Sequence, residues 1–182
     1  ALLALAAPAR AEEWSARLTA VSGTVFLHVD GDAEGLPAEE GTPLEDGDRV
    51  ETGADGRAEV ALEAESVIEL GANTSFTVGS TKKADSWFSL DVGSFLAKLK
   101  SFQGRRAALK VRTPTAVAAV RGTEFGAEVG EDGETSVGVY DEGRVAVTAH
   151  EGGGETLLEA KQETSLKPGE REFKVRRLER LE

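Results

Sequence analysis

From Trp14 onward the chain alternates apolar and polar positions with period two, and glycines punctuate the alternation. Leu18, Ala20 and Ser22 alternate with Thr19 and Val21; past Gly23, Val25, Leu27 and Val29 alternate with Thr24, Phe26 and His28. Period two is the repeat of a strand that buries one face, so these runs predict half-buried β-strands. Asp30-Gly31-Asp32 predicts a turn. A less regular passage through Pro37 and Pro43 leads to Leu44, Asp46-Gly47-Asp48, Val50 and Thr52. Past the turn Gly53-Ala54-Asp55-Gly56 come Ala58, Val60 and Leu62, then Val67, Ile68 and Leu70, then a short strand from Asn73 to Val78. Turns spaced about ten residues apart are those of an all-β sandwich, barrel or solenoid.

The middle of the chain reads differently. Lys82, Lys83, Asp85 and Ser86 predict an exposed turn, Trp87 to Val92 a strand, and Gly93 a break. Phe95, Leu96, Leu99 and Phe102 then recur at helical spacing around Lys98 and Lys100. That spacing fits an amphipathic helix or an edge strand whose lysines discourage pairing; a strand ending in a helical turn is preferred. Gln103 to Arg106 is a basic turn, and Ala107, Leu109 and Val111 lead into Thr113 to Phe125, TPTAVAAVRGTEF. Proline lacks an N–H and glycine weakens a regular strand, so a strand is expected to start at Pro114, break or bulge at Gly122, and resume through Phe125, Ala127 and Val129.

Glu131 to Glu134 then predicts an acidic turn, with strands at Val137 to Tyr140 and at Val145 and Val147 around a turn at Asp141-Glu142-Gly143. Gly152-Gly153-Gly154, Leu157, Leu158 and Leu166 lead to Pro168-Gly169. Residues 171–182 are densely charged and predict a final strand running into a short helix, or a linker. A weak internal repeat pairs the block from Gly23-Thr24-Val25 to Leu44, Gly47 and Asp48 with that from Gly143-Arg144-Val145 to Leu166, Gly169 and Glu170. Two related β units packed in tandem are therefore expected, with Thr113 to Phe125 as the join between them.

Composition narrows the functional classes. The 182 residues are 40% hydrophobic but only 5% aromatic, so the core must come mainly from Val, Leu and Ala. A net charge of -12 disfavours bare nucleic acid and anionic lipid, whose recognition depends on clustered cations. With no cysteine there is no disulfide and no thiolate chemistry. His28 and His150 lie far apart without ligand-like spacing and read as ordinary strand or turn histidines. The acidic turns Asp30-Gly31-Asp32 and Asp46-Gly47-Asp48 lack the spacing of a calcium loop and read as solvated turns. Nucleophile-elbow, phosphate-loop and dinucleotide patterns are absent, and nothing singles out a carboxylate pair, so no catalytic residue and no cofactor is expected.

The N-terminal ALLALAAPARAEE reads as the back half of a secretory signal, residues 1–11, with an A-x-A site at Ala9-Arg10-Ala11 and cleavage near Ala11/Glu12. Export, to the periplasm or beyond, and no membrane-spanning segment after cleavage are the expectations.

The ordered set Gly23-Thr24-Val25, Leu44 to Gly53, Ala58 to Leu62, Val111-Arg112-Thr113-Pro114, Val120-Arg121-Gly122-Thr123-Glu124-Phe125 and Glu142-Gly143-Arg144-Val145 resembles the FecR domain. The resemblance runs from about Leu18 to Gly169, within a domain taken as residues 12–170, and T-P followed by V-R-G-T-x-F is its specific part. It implies an all-β periplasmic module of short antiparallel or solenoid-like strands. In the iron-uptake systems that name the family, such a domain receives a signal from a ligand-loaded outer-membrane transporter and controls an extracytoplasmic-function sigma factor. A cleavable-looking signal in place of a cytoplasmic segment and anchor favours a free periplasmic or surface relative. The expected function is non-catalytic binding or signalling toward another envelope protein or an envelope polymer. The alternatives are a structural envelope protein and, less favoured, a glycan-active enzyme.

The family-motif residues Gly47, Asp48, Thr113, Pro114, Arg121, Gly122, Thr123, Phe125 and Gly143 are expected to be mainly structural. On an extended strand Arg121 shares a face with Val117, Ala119, Thr123 and Phe125 unless Gly122 shifts the parity. A guanidinium on an apolar face is costly unless paired, and Asp48, Glu124, Asp141 or Glu142 are the candidate partners. The expected role is an internal clamp between the two units; the alternative is partner recognition. Arg121→Leu should lower the melting temperature, and lost binding with an unchanged melting temperature would reverse that preference.

Overall fold

The computed structural model describes residues 13–62, 65–82, 85–100, 109–120, 122–150 and 152–178. The secretory-signal reading, Phe102, the basic turn Gln103 to Arg106, and Arg121 lie outside these residues. Apart from a single 3-10 turn at Val29–Gly31, every regular element of the described residues is a strand. The chain begins with β1 (Ala16–Ser22), β2 (Val25–His28), β3 (Leu36–Pro37), β4 (Pro43–Leu44), β5 (Arg49–Thr52), β6 (Arg57–Leu62), β7 (Ser66–Leu70) and β8 (Ser75–Ser80). The long strand β9 (Trp87–Lys98) follows. After it come β10 (Leu109–Arg112), β11 (Ala116–Val120), β12 (Glu124–Val129), β13 (Thr135–Val139), β14 (Arg144–Ala149), β15 (Glu155–Glu159), β16 (Gln162–Leu166) and β17 (Arg176–Arg177). Among the described residues no helix is long and apolar enough to cross a membrane.

Sheet 1 runs β4-β1-β6-β7-β9-β12-β13-β16-β17. Sheet 2 runs β3-β2-β5-β8-β9-β10-β11-β14-β15. Every one of these pairings is antiparallel except β9 with β10. Strand β9 belongs to both sheets: Trp87 to Val92 pair with β8 and β10, and Gly93 to Lys98 with β7 and β12. The chain before β9 therefore lies on one side of it and the chain after β9 on the other.

Gly93 makes the shared strand possible. Phe88 and Leu90 are buried in the first half of β9, and Phe95 and Ala97 in the second, so the buried parity changes from even to odd at the glycine. Its φ of +94° supplies the turn, and a Cβ there would collide with Thr74. Leu96 consequently faces out. The helix-like spacing of Phe95, Leu96 and Leu99 is that of a strand whose parity has been reset, and β9 is central in both sheets, not an edge.

The tandem relation is present in the pairing. On one side β5 and β8 pair in sheet 2 while β6 and β7 form a hairpin in sheet 1. On the other, β11 and β14 pair in sheet 2 while β12 and β13 form the hairpin. This registers the repeat differently from the Gly23 and Gly143 blocks. Strand β14, after Gly143, corresponds to β8, and β2, after Gly23, corresponds to β10, each the neighbour of β5 or β11. Thr113 to Phe125 is likewise not the join; it is the crossover from sheet 2 to sheet 1 within the second unit, and β9 is the join.

Local corrections have local causes. A register slip between Leu18 and Ala20 against β6 turns Ala20 outward and Val21 half inward. Ser86, expected in an exposed turn, is fully buried. The strand expected at Pro114 starts at Ala116, because Thr113 closes a turn by donating its N–H to the Ala116 carbonyl at 2.9 Å. No helix follows Arg171 in the described residues; the segment makes the two-residue strand β17.

Inward rows from both sheets join one cluster made largely of Val, Leu and Ala. Four of the seven phenylalanines thread its centre. Phe76 stacks on Phe88 with ring centroids 5.3 Å apart and meets Phe95 across the sheets at 6.2 Å, and Phe95 meets Phe125 edge-on at 5.4 Å. Gly93→Ala should lower stability by more than Gly152→Ala. Both glycines have positive φ, but a Cβ at Gly152 meets open space, so only the backbone cost of roughly 1–3 kcal/mol applies there. Thermal melts of the two variants compare them directly.

Candidate functional site

Among the described motif residues, Gly122, Thr123 and Gly143 meet where the chain changes sheets. Thr123, just before β12, donates its hydroxyl to the Glu142 carbonyl between β13 and β14. Gly143, at φ +102°, leaves room for the Thr123 side chain, and Gly122, at φ +57°, turns the crossover. The equivalent clasp in the first unit is Thr52, whose hydroxyl donates to the Gly71 carbonyl at 2.6 Å and accepts the Thr74 N–H at 2.9 Å. Thr74 in turn donates to the Ser94 carbonyl at 3.1 Å and accepts its N–H at 3.0 Å, fastening the crossover to β9. Phe125 is fully buried beside Phe95.

Thr113 and Pro114 sit at the other end of β11. The Thr113 hydroxyl accepts from the Ala116 N–H at 3.1 Å and the Thr135 hydroxyl at 2.9 Å, and the Thr113 carbonyl lies 2.9 Å from His150 Nε2. His28 is similarly engaged, with Nδ1 2.9 Å from the Asp32 carbonyl and Nε2 3.0 Å from Glu51.

The turn Asp30-Gly31-Asp32 is exposed, as expected of a solvated turn, whereas the carboxylates of Asp46 and Asp48 also serve as internal supports. Asp48 is buried and accepts the Asp30 N–H at 3.0 Å and the Glu45 N–H at 2.8 Å. Asp46 accepts from the Thr81 N–H and hydroxyl at 2.7 and 2.8 Å, while Gly47, at φ +98°, donates to Val78. Each carboxylate thus pins a turn to a strand through backbone donors. Among the described residues no group of three or more His, Asp or Glu is arranged to hold a metal ion.

Two open depressions lie on the outer faces. On sheet 1 a straight row crosses from Glu69 through Leu96, Gly126 and Gly138 to Glu163 and Arg176. The absent side chains of Gly126 and Gly138 open a trough of about 930 Å³, into which Tyr140 and Leu178 lean. On sheet 2 Ala119 and Ala146 floor a depression of about 890 Å³ beside Leu157, bordered by Glu142, Arg144 and Glu159. Both offer an apolar floor with charged margins, chemistry suited to holding a polypeptide or polymer surface.

Elsewhere on sheet 2 lies a pairing that sequence reasoning did not find. Trp87 lies on Gly79, where any side chain would displace the indole, and the Arg112 guanidinium stacks 3.9 Å from the Trp87 ring. Nearby, a hydrogen bond and the charge of Lys110, 2.7 Å away, hold the Asp85 carboxyl below the ordinary aspartate range. An outward glycine inside a strand was the available signal for this site and for the Gly126–Gly138 trough.

The fold and the clasped crossovers define an all-β domain of two tandem units sharing a central strand. The chain belongs to the FecR family: the family model, FecR protein, matches residues 48–146, which run from the head of β5 into β14 and so span both units. Two crystal structures of a candidate anti-sigma factor from Parabacteroides distasonis, at 2.50 and 1.65 Å resolution, share the fold. Their TM-scores are 0.60 and 0.59 at 18% and 19% identity, over 71% of this chain. The match covers 59% of each of those chains, so this chain spans about three fifths of their length. No curated protein matches it.

The clasps yield a direct test. Thr52→Val keeps the shape but leaves the Thr74 N–H buried without its partner, so it should cost roughly 1–3 kcal/mol in denaturant unfolding. Thr19→Val, which removes an outward hydroxyl bonded to Glu59, should cost much less.

Proposed function

We propose that this chain is a non-catalytic binding and signalling module that works outside the cytoplasm and recognises another envelope protein or an envelope polymer. The observation that carries the reading is the FecR match across both units of the fold. The description of the fold neighbour as a candidate anti-sigma factor supports a regulatory role, with a protein as the more fitting partner class. The geometry agrees in kind. Thr113 and Thr123 of the motif, the histidines and the turn carboxylates bond to backbone groups, which leaves the outer faces to make contacts. The signal-like residues 1–11 support export of the acidic domain to the periplasm or the surface.

Deleting the gene and comparing transcript profiles tests the proposal, with the wild-type chain supplied back as the control. Altered expression of one coherent set of genes under a single alternative sigma factor, restored by the wild-type chain, is the expected result. Unchanged transcription together with retention of the purified protein on peptidoglycan or polysaccharide would replace it with a structural role. Turnover of a cell-wall glycan would replace it with an enzyme.

A further inference from the structure

Strand β15 is the last of sheet 2 and is paired on one side only, with β14. Two bonds fix the direction of its backbone groups. Ala149 donates to the Gly154 carbonyl at 3.1 Å, so in the alternation of an antiparallel pair Thr156 and Leu158 turn their backbone groups toward β14. Glu155, Leu157 and Glu159 therefore turn theirs outward, and there the Glu159 N–H meets the Gln162 side chain at 2.8 Å. The N–H and C=O of Glu155 and Leu157 have no hydrogen-bond partner among the described residues. The segment from Arg171 to Leu178 is bonded to Gly154 and Lys161, beyond the two ends of β15, and to β16 between them. It gives no hydrogen bond to Glu155 or Leu157.

The side chains of Glu155, Leu157 and Glu159 share the outer face, exposed, while Leu158 between them is buried. Leu157 ends the row Ala119–Ala146–Leu157 along the sheet 2 depression. The two acids have only weak local partners. The Thr148 hydroxyl lies 3.3 Å from Glu155, and Arg144 lies 3.6 Å from Glu159 in a pair whose side chains are both more than half exposed. Lys161 and Arg171 stand beyond the ends of the strand, whereas a strand added to this edge sets its own side chains directly opposite Glu155, Leu157 and Glu159.

From the open ladder and this acid–apolar–acid row we propose that β15 takes up an extended segment of a partner protein as an added strand. The segment carries a basic, an apolar and a basic residue at alternate positions. Its main chain bonds to Glu155 and Leu157, its apolar residue extends the row that Leu157 ends, and its bases oppose Glu155 and Glu159. A second β15 is a poor guest, because antiparallel pairing centred on Leu157 sets Glu155 against Glu159 on both sides. Arg176, Leu178 and Arg180 repeat the guest pattern in this chain, but Arg176 is paired with Glu163 and Leu178 leans over Gly138 on sheet 1. The inference rests on the reading of the domain as a binding module and names the kind of polypeptide held and the edge that holds it.

Fluorescence anisotropy of the labelled peptide STRTVTRTS, titrated with the full chain to about 1 mM, tests this against the control peptide STETVTETS. The basic peptide should bind at least about tenfold more tightly than the control, one decade in the dissociation constant. Glu155→Lys with Glu159→Lys should reverse that order and keep the wild-type melting temperature, since both side chains are exposed. Methylating the valine nitrogen of the peptide, which removes the donor to the Leu157 carbonyl, should weaken binding at least about tenfold. Amide hydrogen exchange at Glu155 and Leu157 should slow in the complex. Absence of binding, equal binding of the two peptides, indifference to the methyl group or unchanged exchange would each overturn the proposal. Self-association of the chain that Leu157→Lys abolishes would assign the edge to a second copy and overturn it as well. These readouts are separate from the transcript comparison, so failure of the strand site and failure of the regulatory reading are told apart.

Discussion

Burying one face of a strand forces every second residue inward, and a strand shared by two facing sheets can satisfy that rule in both only if its parity changes at the crossing. Gly93 makes that change. It lets Phe88 and Leu90 point into the core from sheet 2 and Phe95 and Ala97 from sheet 1, within one continuous strand. The neighbours of β9 in both sheets, β7, β8, β10 and β12, take their register from this one joint. The line from Phe88 through Phe76 and Phe95 to Phe125 crosses the joint, so the bulkiest core groups lie where the sheets and the two units meet. Elsewhere the core is thin enough for Val, Leu and Ala to fill it, which is how so few aromatics suffice.

A fold that moves between sheets after every hairpin has many backbone groups leaving one ladder before they enter the next, and each must find a partner. Threonine answers this at the crossovers, since its hydroxyl donates and accepts while its methyl group packs as an apolar surface. Thr52, Thr74 and Thr123 do so at corresponding places in the two units, and Thr113 at the far end of β11. At exposed turns carboxylates take the same part, with Asp46 and Asp48 accepting N–H groups from Thr81, Asp30 and Glu45. Among the described polar residues of the family motif, Thr113, Thr123 and Asp48 thus take part in the accounting of backbone hydrogen bonds.

The strands with one buried face were legible in the sequence because their alternation is a direct record of burial, as at Ala58, Val60 and Leu62 in β6. What escaped was wherever the alternation slips. At Thr19 a bulge reversed the faces of Ala20 and Val21, and at Gly93 the parity reset produced a spacing that imitates a helix. The join between the units was misplaced for a related reason. Which strands pair is a matter of contacts between distant residues, and Thr113 to Phe125 gives no local sign that its two halves lie in different sheets. Thr113, Thr123 and Asp48 of the motif were legible in the sequence, and their hydrogen bonds run to groups within the fold. The outward glycines at 79, 126 and 138 were not, since their use lies in the neighbours Trp87, Tyr140 and Leu178 that lean over them.

The sheets also have to end, and an unpaired edge is an invitation to add another strand. At the end before β9 both edges are two-residue strands carrying prolines, Leu36–Pro37 and Pro43–Leu44, and the loop between them is tied back through the Ala38 N–H to Val25 and the Gly41 N–H to Leu18. At the other end sheet 1 stops at the two-residue β17, and the segment before it is tied across by the Gly154 N–H to the Arg171 carbonyl. Only β15 presents a longer open edge, and there Glu155 and Glu159 flank Leu157 with charge. Uncontrolled growth of either sheet is blocked by the backbone at one end and by charge at the other. Any contact made at these ends must therefore be selected by side chains.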